Sequence, residues 1–332
     1  MKKIKVAQIG TSRYSHGSQI FPCVTQMTDI FEVVGYALPE NEREKFPLQV
    51  KVFDGYPELT VDEILNNPEI DAVIVETEEI YLTKYALMVA KAGKHLHMEK
   101  PGSQSLADFE ELIETVRKNN IVFHTGYMYR YNPAVKELLE RIDAGELGQI
   151  ISVEAEMSCT HDDQWRQWLS SFKGGLMFFL GCHLVDLIYR IQGMPEKITP
   201  LNRATNLNGV TAEDFGMAVF EYKNGVSVAK TTDVEYGGFV RRHLTVVGSK
   251  GTVEIRPLEY GIGGGLQKTT STEFFKADWG DTGTVTDSEP ATRYGDMMIS
   301  FAAMVRAEKE NPYTLDYELE LYKLVLKSCG VE

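Results

Sequence analysis

Ile4-Lys-Val-Ala-Gln-Ile-Gly10-Thr-Ser-Arg-Tyr-Ser15 opens the chain's regular structure with an apolar run that ends on a glycine. Such a run reads as a buried strand turning tightly toward a helix. A parallel α/β sheet lays a phosphate against a helix amino terminus at this place. The dinucleotide fingerprint wants glycine at three spaced positions; Gly10 stands at the first, and Ser12 and Ser15 stand at the other two. The position matches, and the composition matches in part.

Outward from that turn, apolar runs alternate with amphipathic segments as far as Phe123. Strands are expected at Phe31–Ala37, Ala72–Glu76, His95–Met98 and Ile121–Thr125. Helical spacing falls between them at Val61–Asn66, Leu82–Ala92 and Leu106–Asn119. This alternation builds a parallel sheet covered by helices through right-handed crossovers. After Asn132-Pro133 the pattern changes. A helix is expected at Ala134–Ile142 and a strand at Ile150–Met157. Met217–Tyr222 and Val226–Thr232 flank Lys223-Asn224-Gly225, a strong hairpin signal, and Arg242–Val247 and Thr252–Ile255 flank a second turn. Met177–Gln192 reads as one long helix, and two more helices near Tyr294–Lys309 and Tyr317–Lys327 close the chain. Gly261-Ile-Gly-Gly-Gly265 follows a strand without a helix after it and reads as a turn. The expected architecture is α/β: a dinucleotide-binding domain over 1–123, then an α+β domain over 124–332 with a predominantly antiparallel open sheet. The C-terminal helix is a candidate to pack back on the first domain.

The chain has 332 residues, 43% hydrophobic and 25% charged, which is ordinary globular usage and excludes disordered and collagen-like classes. Lys and Arg number 34 against 48 Asp and Glu, a net charge of −14 that repels nucleic acid and anionic membrane surfaces. Cys23, Cys159, Cys182 and Cys329 are too sparse for a disulfide framework or a zinc cluster, so reduced thiols and no metal are expected. The amino terminus lacks the apolar core of a secretory signal, and no run reaches the ~20 apolar residues of a membrane span. A cytoplasmic protein is expected.

Four segments carry chemistry. A ribose-binding acid should end the second strand, but Leu38 stands there; Glu40 and Glu42 follow in an expected loop, and Arg13 is either a contact for a 2′-phosphate or a solvated surface residue. Glu99-Lys100-Pro101 follows a strand end, where ligands gather, and a lysine there can polarise a hydroxyl or carbonyl. His183 and Asp186, three apart on one helix face, suit proton transfer or else a buried helix contact with a local pair. In His161-Asp-Asp-Gln-Trp-Arg-Gln-Trp168, Trp165 and Trp168 either stack on a sugar, with Arg166 gripping an anionic group, or pack beneath the loop or at a dimer contact.

The order of Glu99-Lys-Pro101, Gly126-Tyr-Met-Tyr-Arg-Tyr-Asn-Pro133, Gly145-Glu-Leu-Gly148, Gly174-Gly-Leu-Met-Phe-Phe-Leu-Gly-Cys-His-Leu-Val-Asp186 and Val246-Val-Gly-Ser-Lys-Gly-Thr-Val-Glu254 resembles the Gfo/Idh/MocA oxidoreductases over nearly the whole chain. The resemblance implies a Rossmann domain carrying NAD or NADP and a second domain whose open sheet serves substrate and subunit pairing, hence a homodimer or homotetramer. It implies a sugar, inositol or related polyol as substrate. Lys100 would be the catalytic lysine, preceding a cis bond at Pro101, and His183 the active-site histidine. Gly10, Ser12, Arg13, Tyr14, Thr77, Glu99 and Lys100 would hold the cofactor, and Tyr129, Arg130, Trp165 and Asp186 the substrate. Two departures stand out. Phe179 occupies the place, four residues before the histidine, where many members carry an Asp. Thr77-Glu78-Glu79 stands where Thr-Pro-Asn is usual, putting carboxylates near the expected nicotinamide end. A dehydrogenase is the leading reading; an NAD-dependent glycoside-cleaving enzyme and a non-catalytic sugar or dinucleotide sensor are the alternatives.

Overall fold

A computed structural model describes residues 2–331. The chain divides into two compact units, Met1–Tyr127 with Tyr294–Glu320, and Met128–Arg293 with Leu321–Glu332.

The first unit is a five-stranded parallel sheet: β1 (Ile4–Ile9), β2 (Phe31–Ala37), β3 (Ala72–Val75), β4 (His95–Met98) and β5 (Phe123–Thr125), in the order β2-β1-β3-β4-β5. Every residue of β3 is buried, as a strand covered on both faces requires. The connections carry α1 (Gly17–Gln26), α2 (Glu42–Lys45), α3 (Val61–Asn66), α4 (Leu82–Lys91) and α5 (Leu106–Asn119). Thr60 caps α3 through a reciprocal bond with Glu63, and Ser105 caps α5. The chain runs from β1 to β2 on one side and returns to β3 on the other. The loops after β1 and β3 therefore part at the switch point where open α/β sheets bind ligands. Within this unit Phe301, from the helix Gly295–Val305, meets the rings of His97 and His124.

Two expectations change here. Glu42 lies not in a loop but at the head of α2, buried, because its carboxylate takes the Thr11 N–H (3.2 Å). The fifth strand starts at Phe123 rather than Ile121.

The second unit begins with α6 (Pro133–Asp143) and β6 (Ile150–Glu156), followed by α7 (Asp163–Trp168), α8 (Leu176–Phe179) and α9 (Cys182–Gln192). The expected long helix is two: Gly181 packs so closely on Met177 that an added Cβ would lie 2.7 Å from the Met177 carbonyl oxygen, and its N–H reaches back to Leu176 O. β7 (Lys197–Pro200), β8 (Phe215–Tyr222), β9 (Gly225–Thr232), β10 (His243–Gly248), β11 (Thr252–Ile255), β12 (Tyr260–Gly263), β13 (Leu266–Lys268), β14 (Thr270–Phe274), β15 (Thr284–Asp287) and β16 (Ala291–Thr292) complete it. An eight-stranded sheet runs β15-β14-β11-β10-β6-β9-β8-β7, antiparallel except where β6 pairs with β9. Both expected hairpins form, with Tyr222 opposite Gly225 and Val247 opposite Thr252. The glycine run at 261–265 turns β12 into β13. Buried and half-buried residues alternate along β8 to β11, so one face carries the core and packs on α9, whose Leu184, Val185, Leu187 and Ile188 are buried. Among the described residues no helix is long and apolar enough to cross a membrane.

Candidate active site

In the first unit the turn after β1 is built by glycine and serine. Gly10 adopts φ +85°, and an added Cβ would stand 2.4 Å from Thr77 Cγ2 and 2.7 Å from Thr77 Cα, so only glycine lets this loop lie against the one after β3. Ser12 Oγ accepts the N–H groups of Tyr14 (3.0 Å) and Ser15 (2.7 Å). Ser15 Oγ accepts those of Ser12 (3.1 Å) and Gly17 (3.3 Å) and donates to Glu76 O (2.8 Å). The serines that depart from the fingerprint thus brace the loop from within, while Arg13 and Tyr14 lie half-buried on it. The close helix–strand contact expected of the third fingerprint glycine is made by Gly17, whose added Cβ would lie 2.8 Å from Glu76 Cβ. The sequence reading missed Gly17 because it sits two residues beyond the fingerprint's spacing.

Lys100 and Glu99 follow β4. Both are buried, with the Lys100 Nζ 3.3 Å from Glu99 Oε1, and the Lys100–Pro101 peptide is cis. His16 Nδ1 lies 3.1 Å from the same Glu99 oxygen. Burial alone would push the Glu99 carboxyl up; His16 and Lys100 outweigh it and hold it down at about 2. The neighbouring acids go the other way. Burial raises Glu76 well above the carboxylate range and raises Glu79 to about 8, neither having a hydrogen-bond partner for its carboxyl oxygens among the described residues. Burial likewise lifts Glu42 to about 9. Glu78 instead pairs with Lys45 at 2.9 Å. Burial thus disfavours the charge on Glu42, Glu76 and Glu79, while Glu78 and Glu99 each face a cation.

This end of the sheet therefore suits a dinucleotide: a glycine turn at the switch point and a braced loop leading into a ten-residue helix, beside acids whose charge burial disfavours. Gly10, Ser12, Arg13, Tyr14, Thr77 and Glu99 all stand on its two loops or on the adjoining strand end.

The second unit gathers a separate network. Tyr129 donates to Glu259 (2.5 Å) and accepts from Arg242 (3.0 Å), while Arg242 and Arg293 both pair with Glu259 (3.1 and 2.8 Å). Burial, with Glu259 beside it, pushes the Tyr129 hydroxyl up to about 12; the two guanidinium groups overcome burial at Glu259 and keep its carboxyl low. His183, buried on α9, meets the Tyr129 ring edge-on at 5.2 Å. Asp186, one turn further along α9, is held by Arg130 through both Nε (2.9 Å) and Nη2 (2.8 Å). Trp165 is buried, stacked on His161 at 3.8 Å and edge-on to Phe179 at 5.1 Å, and Trp168 meets Phe179 at 5.4 Å, so position 179 sits in an aromatic wall. Arg166 is buried against Asp214 (2.8 Å) and Asp163 (2.5 Å). Glu259, Arg242 and Arg293 went unmarked in the sequence because single charged residues on separate loops leave no local pattern.

Two family models match the chain: "Oxidoreductase family, NAD-binding Rossmann fold" over residues 4–127, and "GFO/IDH/MocA C-terminal domain" over residues 135–254. Among curated relatives, D-xylose 1-dehydrogenase (NADP(+)) of Hypocrea jecorina is 25% identical over 237 residues, 64% of this chain and 59% of its own length. The scyllo-inositol 2-dehydrogenase (NAD(+)) of Bacillus subtilis is 27% identical over 206 residues, 60% of this chain and 58% of its own. The chain spans under three fifths of the length of these relatives. Among solved structures, the aldose-aldose oxidoreductase from Caulobacter crescentus superposes with a TM-score of 0.79 over 99% of this chain and 98% of its own, at 19% identity, a likeness of fold. NAD or NADP is the cofactor of the first unit, and the chain belongs to the Gfo/Idh/MocA family of oxidoreductases.

Proposed function

We propose that the protein is a nicotinamide-dependent oxidoreductase acting at a hydroxyl carbon of a sugar, inositol or related polyol. The observation that carries this reading is the pairing, in one strand-end crevice, of the glycine turn after β1 with a buried lysine after β4 whose ammonium is held against an ionised Glu99. The similarity to relatives named as xylose and inositol dehydrogenases supports the substrate class.

When bound, the nicotinamide supplies the hydride chemistry. The chain's own residues bind, orient and move protons. The Gly10 loop and Thr77 receive the dinucleotide, with Arg13 and Tyr14 at its rim. Lys100 holds the reacting oxygen, its charge steadied by Glu99. In the second unit His183 is the proton-handling imidazole, with Tyr129 fixing one side of it. Tyr129, Arg130, Asp186 and Trp165 shape the substrate side; Arg130 and Asp186 act by locking one another.

The test is to titrate NADH and NADPH separately by fluorescence, then assay a polyol panel with each oxidised cofactor. Lys100→Met should lose roughly 10²–10⁴-fold in kcat/KM, the range for removing a positioned proton-handling group. Stoichiometric accumulation of reduced cofactor identifies a dehydrogenase; glycoside cleavage without it identifies the eliminating alternative. Failure to bind either dinucleotide overturns the proposal.

A further inference from the structure

Cys159, His161 and Asp233 converge in the second unit, and nothing in the proposed reaction uses them. Cys159 Sγ lies 3.0 Å from Asp233 Oδ1 and 3.5 Å from His161 Nδ1, and His161 Nδ1 lies 2.5 Å from the same Asp233 oxygen. This is the only such His, Cys and carboxylate cluster among the described residues. The backbone prepares it. Past the end of β6 the pairing with β9 continues through Met157 N–H to Lys230 O and Cys159 N–H to Thr232 O, and beyond β9 Glu235 N–H returns to Cys159 O. The His161 ring is clamped flat on Trp165.

The geometry points to a divalent transition-metal site, of the zinc type, with Cys159 Sγ, His161 Nδ1 and Asp233 as its three protein ligands and one exchangeable position. A thiolate, an imidazole and a carboxylate on one point form the mixed donor set that zinc accepts in tetrahedral sites. Zn–S near about 2.3 Å with Zn–N and Zn–O near about 2.0–2.1 Å imply ligand separations of roughly 3.6 Å for S···N, 3.5 Å for S···O and 3.3 Å for N···O. The sulfur–nitrogen separation already matches, and the carboxylate must withdraw by less than about 1 Å for the other two. Asp233 is fully buried, its Oδ2 has no hydrogen-bond partner among the described residues, and its Oδ1 has a thiol and an imidazole as its hydrogen-bonding company. Burial first, then Asp233, push the Cys159 thiol up, and Arg242, which also pairs with Glu259 and Tyr129, opposes them only in part, so a bound cation is what would draw the thiol proton off. The side chain of His161 is 37% exposed, so the cluster has an entry path and room for a water or another small oxygen ligand. On binding, the thiol proton leaves to solvent and the imidazole carries its proton on Nε2.

The test loads chelator-treated full-length protein with Zn²⁺ or Co²⁺, without substrate or cofactor. The expected result is one equivalent of metal per chain, a thiolate-to-cobalt charge-transfer band, and a shift of the cobalt spectrum on adding azide at the exchangeable position. Cys159→Ser should abolish the charge-transfer band. His161→Gln, at the half-exposed ligand where folding is not at stake, should weaken affinity by at least the roughly 10–100-fold that even an outer-shell partner is worth. Cys23→Ser, in α1 and outside the cluster, should change neither. Substoichiometric uptake by the wild type, or uptake and spectrum unaltered in Cys159→Ser and His161→Gln, overturns the proposal.

Discussion

Gly10→Ala tests the geometry that brings the first two cofactor loops together. The new methyl would meet Thr77 Cγ2 at 2.4 Å and Thr77 Cα and N at 2.7 Å, against an ordinary carbon contact of about 3.5–4.0 Å. Two of those three atoms are backbone of Thr77, itself fully buried in the loop that leaves β3, so the Gly10 turn cannot take the methyl without moving away from it. A φ of +85° adds about 1–2 kcal/mol for any residue with a Cβ, and overpacking adds about 1–3 kcal/mol. The total is about 2–5 kcal/mol, or roughly 5–15 °C in Tm for a domain of this size. Gly93→Ala is the internal control: its φ is +71° and nothing lies within 4 Å of the added Cβ, so it carries the conformational cost alone. Chemical denaturation of both variants, alongside NADH titration, separates the two costs. The reasoning is refuted if Gly10→Ala is no less stable than Gly93→Ala, or if it binds NADH as the wild type does.

Three further outcomes are expected. Glu79 keeps its proton in the folded state up to about pH 8, because burial disfavours the charge, whereas the unfolded chain releases it near the ordinary carboxyl value; its stability contribution is full below that value and is lost as pH rises toward 8. Glu79→Gln should therefore flatten the decline of denaturation midpoint between pH 5 and pH 8, by up to about 1.4 kcal/mol per pH unit; parallel curves for variant and wild type would count against a protonated Glu79. Arg130→Met strips the guanidinium from buried Asp186 and should cost about 3–5 kcal/mol, most of it recovered in Arg130→Met with Asp186→Leu; strictly additive losses in that double-mutant cycle would show that the two side chains are not coupled. Tyr129→Phe removes the bond to Glu259 but leaves two arginines on that carboxylate, so denaturation should register only about 1 kcal/mol; a loss above 3 kcal/mol would mean the hydroxyl anchors the network.

The order of strands and helices was written into the sequence because hydrophobic period and turn chemistry act over a few residues. Ile4–Ile9 before Gly10, and Lys223-Asn224-Gly225 between two apolar runs, need no distant partner to be read. The strand-end position of Glu99-Lys100 was legible for the same reason: the pair comes directly after β4. The broken helix at Gly181 was not, since the break comes from how closely that glycine packs on Met177.

The charge states around the cofactor loops belong wholly to the tertiary structure. Glu76, Glu78, Glu79 and Glu99 are the same chemical type within 24 residues of sequence, yet burial pushes the carboxyls of Glu76 and Glu79 up while Lys45 pairs with Glu78 and His16 with Glu99. The Cys159–Asp233 contact likewise joins positions 74 residues apart, through the register of β6 on β9. Local pattern fixes which segments become strands and helices; desolvation and long-range register, which exist only once those segments pack, decide what their side chains meet and what charge they carry.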